Sequence, residues 1–216
     1  MDLYENAVLT ENDMKVLLTA QNWDVKSYKK GEIVKNITPR DNRIFLVVEG
    51  VVSLQIENAL YEKEVIEIYG KGQFFSHAIP YLPGDAIWYI CAKKKTRLAA
   101  IRPEEFESTR LTSICSNIHF IYQSQTFFLL EHCHILQQKT VRNKIFAWLY
   151  FQRECAKRDT IVVEVPYADL AAYLMVDRSS LLRELKKLEN EGFIRRKGRC
   201  IHLLFGKNSI DRPDMS

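Results

Sequence analysis

Apolar and polar residues along this chain follow three successive rhythms. In the first, from about residue 20 to 102, apolar positions come in short runs of strand length. Val52, Leu54 and Ile56 alternate with Ser53, Gln55 and Glu57, a period of two that predicts a half-buried strand. Ile44-Phe45-Leu46-Val47-Val48 is uninterrupted and predicts a strand covered on both faces. Ile66 and Ile68 flank Glu67, and Ile87-Trp88-Tyr89-Ile90-Cys91 combines the β-branched and aromatic side chains that strands favour. Gly31, Gly50, Gly70, Gly72 and Gly84 punctuate the region, so a small sandwich or barrel of short strands is expected.

The second rhythm is helical. No glycine occurs between Gly84 and Gly192, and no proline between Pro103 and Pro166. Either breaker would cost a helix interior about 1–3 kcal/mol. From about 103 to 138, Ile121, Phe128 and Ile135 recur every seven residues, as do Tyr122, Leu129 and Leu136. With Ile118 they form an apolar stripe too wide for one partner. Such a helix would pack on its own domain with one side and on a twin helix with the other. Burial wholly within one domain satisfies the same spacing.

The third rhythm is two short helices and a hairpin. Pro166 to Leu174 predicts a helix with Leu170 and Leu174 on one face, and Met175-Val176-Asp177 a turn. Arg178 to Leu188 predicts a second helix with Leu181, Leu185 and Leu188 inward. Helices joined by so short a turn cross closely, and Ala171 supplies the small residue this needs. After Gly192, Phe193-Ile194-Arg195-Arg196 and Cys200-Ile201-His202-Leu203-Leu204 predict two strands around Lys197-Gly198-Arg199. The pattern is that of a helix-turn-helix followed by a winged hairpin with a cationic tip.

Charge agrees with this division. From Lys139 onward there are 16 Lys and Arg against 10 Asp and Glu, and before it 15 against 17. A basic C-terminal part suits a phosphate-bearing partner. No apolar run approaches the roughly 20 residues of a membrane span. Met1-Asp2-Leu3-Tyr4-Glu5-Asn6 shows no signal-peptide pattern, so the cytoplasm is the expected location and no membrane partner is expected. The cysteines, Cys91, Cys115, Cys133, Cys155 and Cys200, form no Cys-x-x-Cys pair and read as reduced thiols. No nucleophile–base arrangement, glycine-rich phosphate loop or His-x-x-x-His pair is present, so no enzyme is expected.

Asp169 to Leu185, continued by Leu188-Glu189-Asn190-Glu191-Gly192-Phe193-Ile194, resembles the DNA-binding signature of the Crp/Fnr superfamily of bacterial regulators. Gly31-Glu32-Ile33-Val34, Phe45 to Gly50 and Gly72-Gln73-Phe74-Phe75 resemble its cyclic-nucleotide-binding-type β-roll, in the same order. The resemblance implies an α+β chain: an N-terminal β jelly-roll effector domain (1–102), a long dimerisation helix (103–138) and a C-terminal winged helix-turn-helix (139–216). It implies a homodimer on near-palindromic double-stranded DNA. Arg178 and Arg183 take the places that read base edges, and Arg suits the O6 and N7 of guanine. Ser179 stands where many relatives carry Glu, so a different DNA site is expected. Ser180 and Tyr167 match phosphate-holding positions, and Lys197 and Arg199 at the wing would do the same. Met175 stands where the turn usually carries glycine, so a locally altered turn is expected.

The same resemblance argues against cyclic AMP. The residues matching that branch's Gly-Glu and Arg-Ser anchors are Ser76-His77 and Ala86-Ile87, and its base-reading Thr-Ser pair matches Leu129-Leu130. No arginine is left to neutralise a phosphate. An iron–sulfur centre of the oxygen-sensing branch needs N-terminal cysteines, and none precedes Cys91. The haem-ligating His of the carbon-monoxide-sensing branch falls one position beyond His77. Adjacent helical residues diverge, so His132-Cys133-His134 cannot jointly hold an ion, and no metal site is expected. An aromatic pocket around Ser76, His77, Tyr81, Trp88 and Tyr89 would hold a small hydrophobic effector or be filled by its own side chains; which cofactor, if any, is left open. Activation of transcription would add RNA polymerase to the partners. The rival reading is a small-molecule, haem or redox sensor that signals through protein contacts, its helix-turn-helix vestigial.

Overall fold

The computed structural model describes residues 8–20, 22–36, 43–57, 63–76, 87–107 and 118–205. Contacts divide the chain into two units, Met1–Cys133 and His134–Ser216.

In the first unit, α1 (Glu11–Ala20) precedes eight strands: β1 (Asp24–Tyr28), β2 (Ile33–Asn36), β3 (Ile44–Glu49), β4 (Val51–Glu57), β5 (Lys63–Gly70), β6 (Phe74–Ser76), β7 (Ile87–Ala92) and β8 (Thr96–Ile101). They form two four-stranded antiparallel sheets, β1-β8-β3-β6 and β2-β7-β4-β5. Helix α2 (Pro103–Glu107) follows, and then α3 (Ile118–Leu136).

The uninterrupted apolar run in β3 is explained by its two neighbours. Phe45 and Val47 join Val52, Leu54, Tyr69 and Ile90 of the other sheet in the inter-sheet core. Ile44, Leu46 and Val48 point the opposite way, against Met14 and Leu17 of α1 and Phe106 of α2. Strand β4 departs from the sequence expectation. Ser53 and Gln55 are buried along with Val52 and Leu54, so both faces of the strand are covered rather than one. Along α3, Ile135 is buried while Leu129 and Leu130 are exposed, at 52% and 63%. The side chains of Ile118, Ile121 and Tyr122 lie outside the described residues. No helix among the described residues is long and apolar enough to cross a membrane.

The second unit contains α4 (Val141–Ala156), β9 (Thr160–Val162), α5 (Tyr167–Tyr173), α6 (Arg178–Asn190), β10 (Ile194–Lys197) and β11 (Cys200–Leu203). Thr140 caps α4, its hydroxyl accepting the Asn143 N–H at 3.1 Å. β10 and β11 form the expected hairpin, and β9 joins it as a third strand in the order β10-β11-β9. Leu170, Ala171 and Leu174 of the first helix and turn are buried, as are Leu181, Leu185 and Leu188 of α6. The turn is not altered at Met175. That residue takes the left-handed conformation itself, at φ +50°.

Candidate nucleic-acid interface

The outward face of α6 is set by its inward one. Leu181, Leu185 and Leu188 recur at helical spacing and are buried, which turns Ser179, Arg183, Lys186 and Asn190 to solvent. Arg178, at the first position of the helix, is also exposed; Ser180 and Leu182 are half-buried. Lys186 is an exposed cation on this face that the sequence reading did not name. Its spacing from Ser179 and Arg183 on an amphipathic helix was the available signal.

Three carboxylates of α6 and its C-terminal end are paired with arginines of neighbouring elements. Arg142 on α4 donates to Glu184 at 2.8 Å and to Glu191 at 2.5 Å. Both carboxylates hold the Arg142 pKa above its ordinary value, the Glu184 hydrogen bond most of all. Arg196 on β10 donates its backbone N–H to Glu189 at 2.9 Å and its guanidinium at 3.1 Å. These donors, the backbone N–H first, hold the Glu189 carboxyl below its ordinary range. Two arginines thus tie α6 to α4 and to the wing, and the cationic stripe of Arg178, Arg183 and Lys186 carries no acidic side chain among them. Lys144 supports the turn, donating to the Leu174 carbonyl at 3.1 Å.

Lys197 and Arg199 flank Gly198 and are exposed. Tyr167 donates its hydroxyl to the Gly198 carbonyl at 3.2 Å, so the residue expected to hold phosphate also braces the wing tip. The Asp177 side chain makes no cap on α6, so no side chain of the cap residue occupies its first-turn amides.

The expected effector pocket is placed differently. His77 and Tyr81 lie outside the described residues. Ser76 ends β6 and is buried with its hydroxyl unpartnered. Trp88 and Tyr89 do not line one pocket. They are neighbours on β7, opposite Ile56 and Gln55 in an unbroken register, and successive strand residues face opposite ways. Trp88 packs against the inter-sheet core, and Tyr89 is buried on the other face. Within that core, Phe75 stacks between Phe45 and Tyr69, with ring centroids 5.0 and 5.1 Å apart. On α3, His132 is buried and its Nδ1 lies 3.7 Å from Glu67 Oε2. Burial, and then the Glu67 carboxylate, push the Tyr69 phenol well above its ordinary value. Cys133 and His134 beside His132 are exposed, and no group of three metal-ligating side chains occurs among the described residues.

Residues 143–204 match the family model of the Crp-like helix-turn-helix domain. The fold of the chain is similar to that of FixK2 from Bradyrhizobium japonicum, at a TM-score of 0.67 and 15% identity over 85% of this chain and 93% of that one. A CooA mutant from Carboxydothermus hydrogenoformans is similar at 0.70 and 17%, over 92% and 94%. A CRP/FNR-family transcriptional regulator from Thermus thermophilus is similar at 0.57 and 20%, over 84% and 94%. No curated protein sequence matches the chain. The chain thus matches the Crp-like helix-turn-helix family over residues 143–204, and its fold is similar to that of these regulators.

Proposed function

We propose that this chain is a transcriptional regulator of the Crp/Fnr type, a homodimer that reads a near-palindromic DNA site without cyclic AMP. The observation that carries the reading is the outward stripe of α6: Arg178, Ser179, Arg183 and Lys186 exposed together, with Glu184, Glu189 and Glu191 tied behind or beside it by Arg142 and Arg196. A helix of this kind fits the major groove. Each Arg forms a bidentate pair with guanine worth about 1–3 kcal/mol of discrimination. Ser179 and Ser180 add hydroxyls, and Lys197, Arg199 and Tyr167 meet phosphates from the wing side. The division into a β effector-type domain at 1–102, a dimerisation helix at 103–138 and a DNA-binding domain at 139–216 belongs to this reading.

Dimerisation rests on α3. Leu129 and Leu130 are exposed apolar side chains on a helix that buries Ser124, His132 and Ile135. Burying those leucines against a twin helix would give the two-fold axis that places two α6 helices in successive major grooves, about 34–36 Å apart. Leu129 and Leu130 also stand where a nucleotide-reading pair would be needed, which supports independence from cyclic AMP. The chain works in the cytoplasm and meets RNA polymerase where it activates.

The deciding experiment is selection of bound duplexes from a random pool at fixed salt, using protein purified without added ligand. A two-fold symmetric consensus is expected. Replacing Arg178 and Arg183 by Ala removes it, while a sensor with a vestigial helix-turn-helix shows no consensus to lose. Selection of direct repeats alone would refute the two-fold arrangement.

A further inference from the structure

We infer that two lysine turns at one end of the β unit, Lys29-Lys30 and Lys93-Lys94-Lys95, form a second surface for the DNA backbone, one that holds duplex flanking the site read by α6. This rests on the DNA-reading function proposed above. Topology brings the two turns together. Strand β1 pairs with β8 in one sheet, and β2 pairs with β7 in the other. The β1–β2 and β7–β8 connections therefore cross between the sheets side by side, at the same end. Backbone hydrogen bonds fix them there. The Gly31 N–H donates to the Ala92 carbonyl at 2.7 Å, and the Ala92 N–H donates to the Glu32 carbonyl at 2.9 Å. The Lys93 N–H is held in turn by the Val51 carbonyl at 2.9 Å.

The charge at this end is unlike that of the rest of the unit. Lys29, Lys30 and Lys95 are exposed, and Lys93 and Lys94 are half-buried. Of the 15 Lys and Arg and 17 Asp and Glu before Lys139, five cations and one acid stand in these two turns. That acid is Glu32, whose carboxylate accepts the Lys29 N–H at 2.8 Å. The cations next to the turns are matched: Lys26 meets Asp24 at 2.8 Å, and Arg97 lies opposite Glu49 across β8 and β3. Clustered like charges repel one another and add nothing to the fold, but they suit a polyanion. Lysines are compact point charges without the planar fork that reads a base edge, so phosphates rather than bases are their targets. DNA is the partner because the same chain holds it through α6. Once that helix is seated, contact with the flanks is intramolecular and gains from effective concentration.

The test uses the full chain and two duplexes, one ending at the selected consensus and one extended on each side by about two helical turns, ~20 bp. Affinities are read by fluorescence anisotropy between about 50 and 200 mM salt. At the low end the extended duplex is expected to bind about ten-fold more tightly. Its log–log salt slope should be steeper by roughly 2–4, since each phosphate neutralised contributes about 0.9. The combined variant Lys29→Gln, Lys30→Gln, Lys95→Gln changes exposed positions only. It should bind the short duplex as the wild type does and lose most of the gain on the long one, while the same three positions changed to Arg keep it. Thermal unfolding of each variant shows that the β unit is intact. Wild-type protein with equal affinity and slope on the two duplexes overturns the inference, as does a triple Gln variant that keeps the gain. Repeating both duplexes with the consensus scrambled separates the two levels. If the consensus is preferred but length adds nothing, only the lysine surface falls. If the consensus is not preferred, the DNA-reading function falls and the surface falls with it.

Discussion

Met175 sits in the helix-turn-helix turn at φ +50° with its side chain 69% exposed. A left-handed backbone costs a residue with a Cβ roughly 1–2 kcal/mol. Glycine would remove that strain but adds freedom to the unfolded chain, at about 0.5–1 kcal/mol. Little apolar burial is lost, because the side chain is mostly in water. Met175→Gly should therefore stabilise the turn by about 0.5–1 kcal/mol net, a two- to five-fold change in the local opening equilibrium. Hydrogen exchange reports this directly. The N–H of Met175 is bonded to the Ala172 carbonyl and that of Val176 to the Ala171 carbonyl, each at 3.0 Å. Protection of the Val176 amide should rise by about that factor in Met175→Gly. Met175→Ala keeps the Cβ and the strain, so it should give no gain. If Met175→Gly gave no more protection than Met175→Ala, the strain argument would be wrong.

Three further outcomes follow from the packing and the charges. Gly50 joins β3 to β4 at φ +95°, where an added Cβ would lie 2.6 Å from Thr96 Cα and 2.7 Å from the Lys95 carbonyl. Gly50→Ala should destabilise the β unit by about 3 kcal/mol or more, seen as a lower urea midpoint. Arg142→Met removes the tie from α4 to Glu184 and Glu191. The groups are partly exposed, so about 1 kcal/mol should be lost, and a double-mutant cycle with Glu184→Gln should return a coupling near half to all of it. The Glu189 carboxyl is held by Arg196 below its ordinary value of 4.5, so the folded state binds its proton less readily than the unfolded state does. Its contribution is present above that value and lost as pH falls through the lowered one. Stability measured from pH 6 downward should therefore decline less steeply in Glu189→Gln than in the wild type.

Much of this arrangement is local enough to be written in the sequence. The spacing of Leu181, Leu185 and Leu188 fixes which side of α6 turns inward, and with it the exposure of Ser179 and Arg183, because helical period is a property of the backbone. The unbroken apolar run from Ile44 to Val48 announces a strand covered twice for the same reason. Gly50, Gly72 and Gly198, all at positive φ, mark their turns through a backbone requirement that acts within a few residues.

What tertiary structure decided depends on partners far along the chain. Ser53 and Gln55 read as solvent-facing because alternation tells which residues share a face, not what covers it; the fold covers both faces of β4. Strand β9 has three residues, too few to show a period, and exists because β11 offers it a partner from Cys200 to His202. The cationic surface of α6 was legible only in part. Glu184 and Glu191 meet Arg142 across 42 and 49 residues of sequence, and that long-range pairing, rather than composition, takes their charge away from the face that meets DNA in the proposed function.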